Sequence, residues 1–190
     1  MESALDYNIQ DERLYEIISG EVYMMASPSI NHSRINGNIH SIFSHYLKGK
    51  TCESFNQSSV HLSDKDHYIP DEMIVCNPDI VEENFINGTP DLVVEILSKS
   101  TKKIDREEKF HKYEQYGVKE YWIVDPFMKC VEVYNLIDGK FVKTCDAQLY
   151  TDEEYKLLSD REKAQVVSEI KVSLYDDFIV NVKDIFERVK

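Results

Sequence analysis

Residues 91–97 read Asp91-Leu92-Val93-Val94-Glu95-Ile96-Leu97. Every side chain from Leu92 to Leu97 except Glu95 is apolar, and half of them are β-branched. Such a run forms a strand that is covered on both faces, because a half-exposed strand would alternate apolar with polar residues. A central strand between helical layers sets the fold class. Glu95 is the exception inside it, and a carboxylate is almost never fully buried unless it is paired or bound to a metal.

The flanking elements extend outward from this strand. After it, Ser100 or Thr101 caps a helix over about 102–116 that Gly117 ends, and Lys119–Asp125 is a further strand stopped by Pro126. Before it lie strand candidates at about 52–62 and 68–76, parted by the charged turn Ser63-Asp64-Lys65-Asp66. Ile35, Ile39, Ile42, Phe43, Tyr46 and Leu47 form one stripe at helical spacing. They predict a helix over about 30–48, capped by Ser29 and closed by Gly49. The order over 30–125 is helix, strand, strand, strand, helix, strand. This is an α/β (α+β) domain with a mixed central sheet flanked by helices.

Hairpins are added on either side. Residues 13–25 pair across Ser19-Gly20, and the strands after residue 130 pair across Asp138-Gly139, a strong turn signal. Residues 151–164 read as a charged loop with a short helix, 165–175 as extended chain, and 176–188 as a helix. Phe178, Ile179, Val182, Ile185 and Phe186 would share one face of that last helix. No linker or repeat divides the 190 residues, so the expectation is one domain over 1–190.

The charge balance is 22 Lys plus Arg against 35 Asp plus Glu, a net −13. That excludes broad electrostatic coating of nucleic acid. No apolar run reaches the ~20 residues of a membrane helix, and the acidic N-terminus is no signal peptide, so the expected location is cytoplasmic. Cys52, Cys76, Cys130 and Cys145 form no C-x-x-C pair and are expected as reduced, partly buried thiols, with no zinc site.

Two readings of Glu95 stand: a carboxylate paired with a Lys or Arg, and a metal ligand. Asp91 shares its face, but four residues at ~3.3 Å put the two Cα atoms ~13 Å apart, too far to share an ion. A second ligand must come from a neighbouring strand, and Asp71, opening the run Glu72–Cys76, is the best candidate. Asp105, Lys109, Lys112 and Tyr116 share one face of the following helix. Lys109 either returns toward Glu95 or forms an exposed pair with Asp105 worth only ~0.3–0.5 kcal/mol.

The stretch Gly88-Thr89-Pro90-Asp91-Leu92-Val93-Val94-Glu95-Ile96-Leu97-Ser98 is followed by Asp105, Lys109, Tyr113, Gly117 and Glu120–Pro126. Together these resemble the Uma-type family, a large, mostly bacterial group in the PD-(D/E)XK restriction-endonuclease-like superfamily. Tyr15-Glu16-Ile17, Gly20-Glu21, Ser27-Pro28, His32 and Pro70-Asp71 resemble its earlier landmarks, and the likeness spans about 13–145. The resemblance implies a restriction-endonuclease-like core and metal-dependent endonuclease activity on DNA. It implies that Asp71 and Glu95 hold Mg²⁺ or Mn²⁺. The superfamily usually has Lys two residues after the second acid; here that residue is Leu97, which points instead to Lys109, with Lys99 as a weaker substitute. Glu16 and His32 match family positions as supporting residues, although His32 also reads as an ordinary surface residue at a helix start.

Lys99, Lys102, Lys103, Arg106, Lys109 and Lys112 form a local basic cluster expected to meet phosphate. The alternative to a nuclease is a catalytically inactive nuclease-like fold used for binding or assembly. A third reading is a metal-dependent hydrolase of another phosphate substrate. The 130–145 hairpin, with Val133 and Tyr134, would extend the sheet and support a homodimer.

Overall fold

The computed structural model describes residues 14–190; Arg13, the first residue of the expected N-terminal hairpin, lies outside them. β1 (Tyr15–Ile18) and β2 (Glu21–Met24) pair across Ser19 and Gly20, both with positive φ, the geometry a two-residue hairpin requires. The helix α1 (Ile30–Leu47) starts where the Ser29 hydroxyl accepts a hydrogen bond from the His32 N–H, and it buries Ile35, Ile39, Phe43 and Leu47.

The expected strand at 52–62 is two strands, β3 (Glu53–Asn56) and β4 (Val60–Ser63). Gln57 takes a positive φ between them and sends the chain from one sheet to another. β5 (Asp66–Tyr68), β6 (Glu72–Val75), the two-residue β7 (Ile86–Asn87) and β8 (Leu92–Ile96) follow. The expected helix over 102–116 begins as α2 (Lys102–Ile104). It then widens into a π-helical stretch, Asp105–Lys109, before α3 (Phe110–Tyr116). π-Helical turns are rare and often mark functional sites. β9 (Glu120–Asp125) and the hairpin β10 (Cys130–Ile137) and β11 (Lys140–Gln148) complete the main sheet, the hairpin turning on Asp138 and Gly139.

Residues 151–164 hold two short helices, α4 (Asp152–Leu157) and α5 (Asp160–Lys163), each with a capping box. The expected helix over 176–188 is corrected. β12 (Glu169–Lys171) pairs with β13 (Ile179–Asn181), and only α6 (Val182–Ile185) is helical. Phe178, Val180 and Val182 are buried while Ile179 is exposed, so period-two alternation prevailed over a spacing that fits both templates.

Six strands form one sheet in the order β11-β10-β9-β8-β6-β3, and five form a second, β2-β1-β5-β4-β7. Within the six-stranded sheet only β8 and β9 are parallel; the others run antiparallel. Alternation along β8 assigns the two sides of the six-stranded sheet. Leu92, Val94 and Ile96 pack with α1 and the C-terminal segment, where Phe43 meets Trp122 and Phe178 edge to face. Val93 and Leu97 pack on the other side with the five-stranded sheet and α3. Glu95 therefore points into the layer between the two sheets, on the side that carries α3.

The cysteine expectation is corrected as well: Cys52 and Cys76 are joined in a disulfide. The antiparallel register of β3 on β6, Glu53 opposite Val75, sets the two cysteines face to face. No sequence spacing signals such a cross-strand meeting. Cys130 and Cys145 are free.

Candidate active site

Four acids and one lysine converge in the layer between the sheets. β8 supplies Glu95. β6 runs antiparallel beside it with Glu72 opposite Val94, and extending that register by one residue sets Asp71 opposite Glu95. β1 supplies Glu16, whose neighbours Tyr15 and Ile17 point outward. The π-helical stretch supplies Asp105 and Lys109. None of the five is more than 7% exposed.

Lys109 is the hub. Its ammonium donates to Glu16 Oε1 at 2.8 Å and to Glu95 Oε1 at 3.0 Å, and lies 3.7 Å from Asp105 Oδ1. The Tyr113 hydroxyl, one helical turn on, donates to the same Glu95 oxygen at 2.8 Å. Glu16 Oε1 also accepts from the Ile69 N–H at 2.8 Å, which ties β1 to the loop before Asp71. Asp71 Oδ2 accepts from the Ile96 N–H at 2.7 Å, and His32 Nε2 lies 3.2 Å from it. Asn36 donates to the Asp71 carbonyl at 2.6 Å. The start of α1 thus clamps Asp71 by both its side chain and its backbone.

The electrostatics are unbalanced. Four buried carboxylates face one buried lysine, with His32 as the only other cationic candidate contacting them among the described residues. Burial raises the pKa of Glu95 well above the carboxylate range, against the opposing pull of Lys109, and Asp105 is raised for the same reason. Burial disfavours the charged form of Lys109, but Glu95, Glu16 and Asp105 overcome it and hold the ammonium on. Burial opposes charging His32 too, and the hydrogen bond and charge of Asp71 outweigh it. Among the described residues, two buried side-chain polar atoms lack a hydrogen-bond partner, Asp105 Oδ1 and His32 Nδ1, and both belong to this cluster.

The sequence shows Asp105 as a pairing partner of Lys109 and Asp105 and Tyr113 as family-like positions, but assigns neither a role in the site. The signal for both was their helical spacing from Lys109, at i−4 and i+4. The remaining candidates are dispersed. Lys99 is exposed, whereas the cluster is buried. Lys102 pairs with Asp125 at 3.6 Å and Lys103 with Glu107 at 3.9 Å, both from exposed positions. Arg106 is held by Glu132 at 2.5 Å. Lys112 belongs to a separate knot: Asp66, buried, accepts from Lys112 at 3.0 Å, Tyr116 at 2.6 Å, Tyr68 at 2.8 Å and the Ser19 N–H at 2.8 Å. That knot fixes α3 against β5 and the β1–β2 turn. It thereby positions the helix that carries Lys109.

Among the described residues, no group of three or more His, Cys, Asp or Glu side chains is arranged to hold a metal ion. The donor set nevertheless fits a hard divalent cation. Carboxylate oxygens are its preferred ligands, and Mg²⁺ commonly takes only one or two of them, completing its shell with water and substrate phosphate. Asp105 Oδ1, which accepts no hydrogen bond and lies 3.7 Å from the Lys109 ammonium, is a further candidate ligand in the same cluster.

A mixed sheet with helices packed on it, carrying acids on adjacent strands and a lysine on the next helix, defines a restriction-endonuclease-like fold. A crystal structure of a putative nuclease belonging to DUF820 from Anabaena variabilis ATCC 29413 superposes with a TM-score of 0.63. It covers 92% of this chain and 90% of that one at 20% identity, so the likeness concerns the fold. The chain belongs to the Uma2 family, described as putative restriction endonuclease, whose model matches residues 1–164. Two curated relatives come from Synechocystis sp. (strain ATCC 27184 / PCC 6803 / Kazusa). Uncharacterized protein slr1290 is 30% identical over 141 residues, 72% of this chain and 74% of the relative. Uncharacterized protein sll1609 is 28% identical over 130 residues, 66% and 73% of the two chains.

Proposed function

We propose that this protein is a metal-dependent endonuclease that hydrolyses DNA phosphodiester bonds, with Asp71 and Glu95 holding Mg²⁺ or Mn²⁺ and Lys109 completing the site. One observation carries the reading: four buried carboxyl groups surround one lysine, more acids than that lysine can pair, and a divalent cation would favour their ionised form. When bound, such an ion supplies charge neutralisation at the phosphate and a lowered pKa for the attacking water. Lys109 orients that water and stabilises the charge that develops on the phosphoryl oxygens. Glu16 and Tyr113 hold Lys109 and Glu95 in register, and His32 holds Asp71. Lys99, Lys102 and Lys103 are the exposed cations that would meet flanking phosphates.

A DNA substrate would go with a cytoplasmic location. Among the described residues no helix is long and apolar enough to cross a membrane. The Cys52–Cys76 bridge points the other way, since disulfides are rare in reducing compartments. A homodimer would use β11, one of the two edge strands of the six-stranded sheet, where Val142 is exposed.

The test is cleavage of plasmid and linear DNA with Mg²⁺ or Mn²⁺. Glu95→Ala and Lys109→Ala should abolish it, and robust cleavage by both variants would refute the site. One feature favours the inactive binding module: Glu95 already has a hydrogen-bonded lysine and tyrosine as partners. Calorimetry separates the two readings. Divalent-ion binding that Asp71→Ala removes supports the nuclease, and its absence supports the module.

A further inference from the structure

Phe127 and Met128 are consecutive in the turn between β9 and β10, and they are 92% and 52% exposed. An isolated exposed apolar residue needs no explanation. This turn differs because its backbone is fixed at several points. Asp125 Oδ1 accepts from the Phe127 N–H at 2.9 Å and from the Met128 N–H at 3.1 Å. Gln148 donates to the Met128 carbonyl at 3.4 Å, and the Leu149 N–H donates to the Lys129 carbonyl at 2.9 Å. Pro126 removes one further freedom. The phenyl ring is thus presented to solvent by a stiff support. A flexible loop could instead fold it down onto the protein.

Its position is equally specific. β9 runs parallel to β8 with Ile123 opposite Glu95, and the Leu97 N–H donates to the Val124 carbonyl. The turn therefore leaves the sheet at the end toward which the Glu95 strand points. Lys102, the first residue of α2, reaches Asp125 at the base of the turn. Phe127 lies four residues beyond Ile123, so a chain running straight on along β9 would put its Cα ~14 Å from that of Glu95. That is roughly four base steps at ~3.4 Å each. Of the exposed lysines after the Glu95 strand, Lys102 is the one that reaches the base of the turn.

We propose that the Pro126–Lys129 turn is a wedge that inserts Phe127 between stacked bases of a bound nucleic acid, a few steps from the phosphate at Glu95. The proposal rests on the nuclease reading and extends it. Lys102, at the base of the turn, would hold the backbone by charge, and the ring would replace a base–base stack with a ring–base stack. The duplex then bends or opens next to the acids. Such a device suits a strongly acidic protein, because stacking supplies affinity that net charge −13 withholds.

The test uses the full-length protein and duplex oligonucleotides carrying 2-aminopurine at successive positions, with Ca²⁺ present to slow cleavage. Wild type should raise the fluorescence several-fold at one or two adjacent positions. Phe127→Ala should remove that rise and weaken binding about tenfold or more, with an unchanged melting temperature because the ring is exposed. Phe127→Trp, which also stacks, should keep both signals. Equal affinity and fluorescence for wild type and Phe127→Ala would overturn the wedge. If wild type cleaves DNA with Mg²⁺ or Mn²⁺ but unstacks no position, the wedge fails and the nuclease reading stands. If it neither binds nor cleaves DNA, both fail.

Discussion

Replacing Lys109 with Met keeps the length of the side chain and removes its charge. In the native site the ammonium donates to Glu16 at 2.8 Å and Glu95 at 3.0 Å and lies 3.7 Å from Asp105. Deleting one partner of a buried ionic network leaves uncompensated buried charge and costs about 3–5 kcal/mol. For a chain of this length that corresponds to a fall in melting temperature of roughly 6–20 °C. The loss should depend on pH. Burial already raises Glu95 and Asp105, and without Lys109 they rise further. An acid whose folded pKa exceeds its unfolded value near ~4 binds more protons when folded. Stability then falls as pH rises above ~4, by up to ~1.4 kcal/mol per unit for each carboxylate. Lys109→Met should therefore be close to wild type near pH 5 and far below it near pH 8. Urea unfolding of both proteins at the two pH values measures this. A variant within ~1 kcal/mol of wild type at pH 8, or a deficit equal at both values, would refute the charge argument.

Other outcomes follow from the same structure. Saturating Mg²⁺ or Mn²⁺ at about a hundred times its Kd should stabilise the protein by ~2.7 kcal/mol in thermal melts; an unchanged shift in Asp71→Asn would remove Asp71 from the metal site. Asp66→Ala breaks a knot of four short hydrogen bonds and should cost about 2–4 kcal/mol in chemical denaturation, with loss of activity through the displaced helix; a loss under ~0.5 kcal/mol would contradict that role. Burial pushes Glu72 up to about 9, so its folded form holds a proton that the unfolded chain releases above ~4.5, and stability should decline from there toward pH 9. Glu72→Gln should flatten that decline, and identical pH–stability curves would count against it. The disulfide closes a separation of 24 residues, so Cys52→Ser with Cys76→Ser should cost ~3 kcal/mol; thiol titration of the unfolded, unreduced protein should find two free thiols, and four would contradict the bridge.

Much of the fold was legible because its signals are local. The stripe of α1, the apolar run of β8 and the Asp-Gly turn each state their structure within a dozen residues, and the turn residues adopt the positive φ they imply. The C-terminal segment was misread because Phe178, Val182, Ile185 and Phe186 suit a helix as well as a strand followed by a turn of helix. Pairing with β12 decided it. The break at Gln57 and the π-helical stretch have no sequence signature of comparable strength.

By itself the sequence determined that Glu95 is a carboxylate in a strand buried on both faces, and that Lys109 shares a helical face with Asp105 and Tyr116. Alternation and helical periodicity are properties of neighbouring residues, so no fold is needed to read them. Only the tertiary structure decided that Glu16, 79 residues earlier in the chain, meets Glu95 on the same lysine, and that His32 rather than a basic residue of the cluster contacts Asp71. It also decided that Lys112 serves Asp66 and that Cys52 meets Cys76. These are encounters between distant segments. They are set by strand register and sheet order, which depend on the packing of all the apolar faces at once.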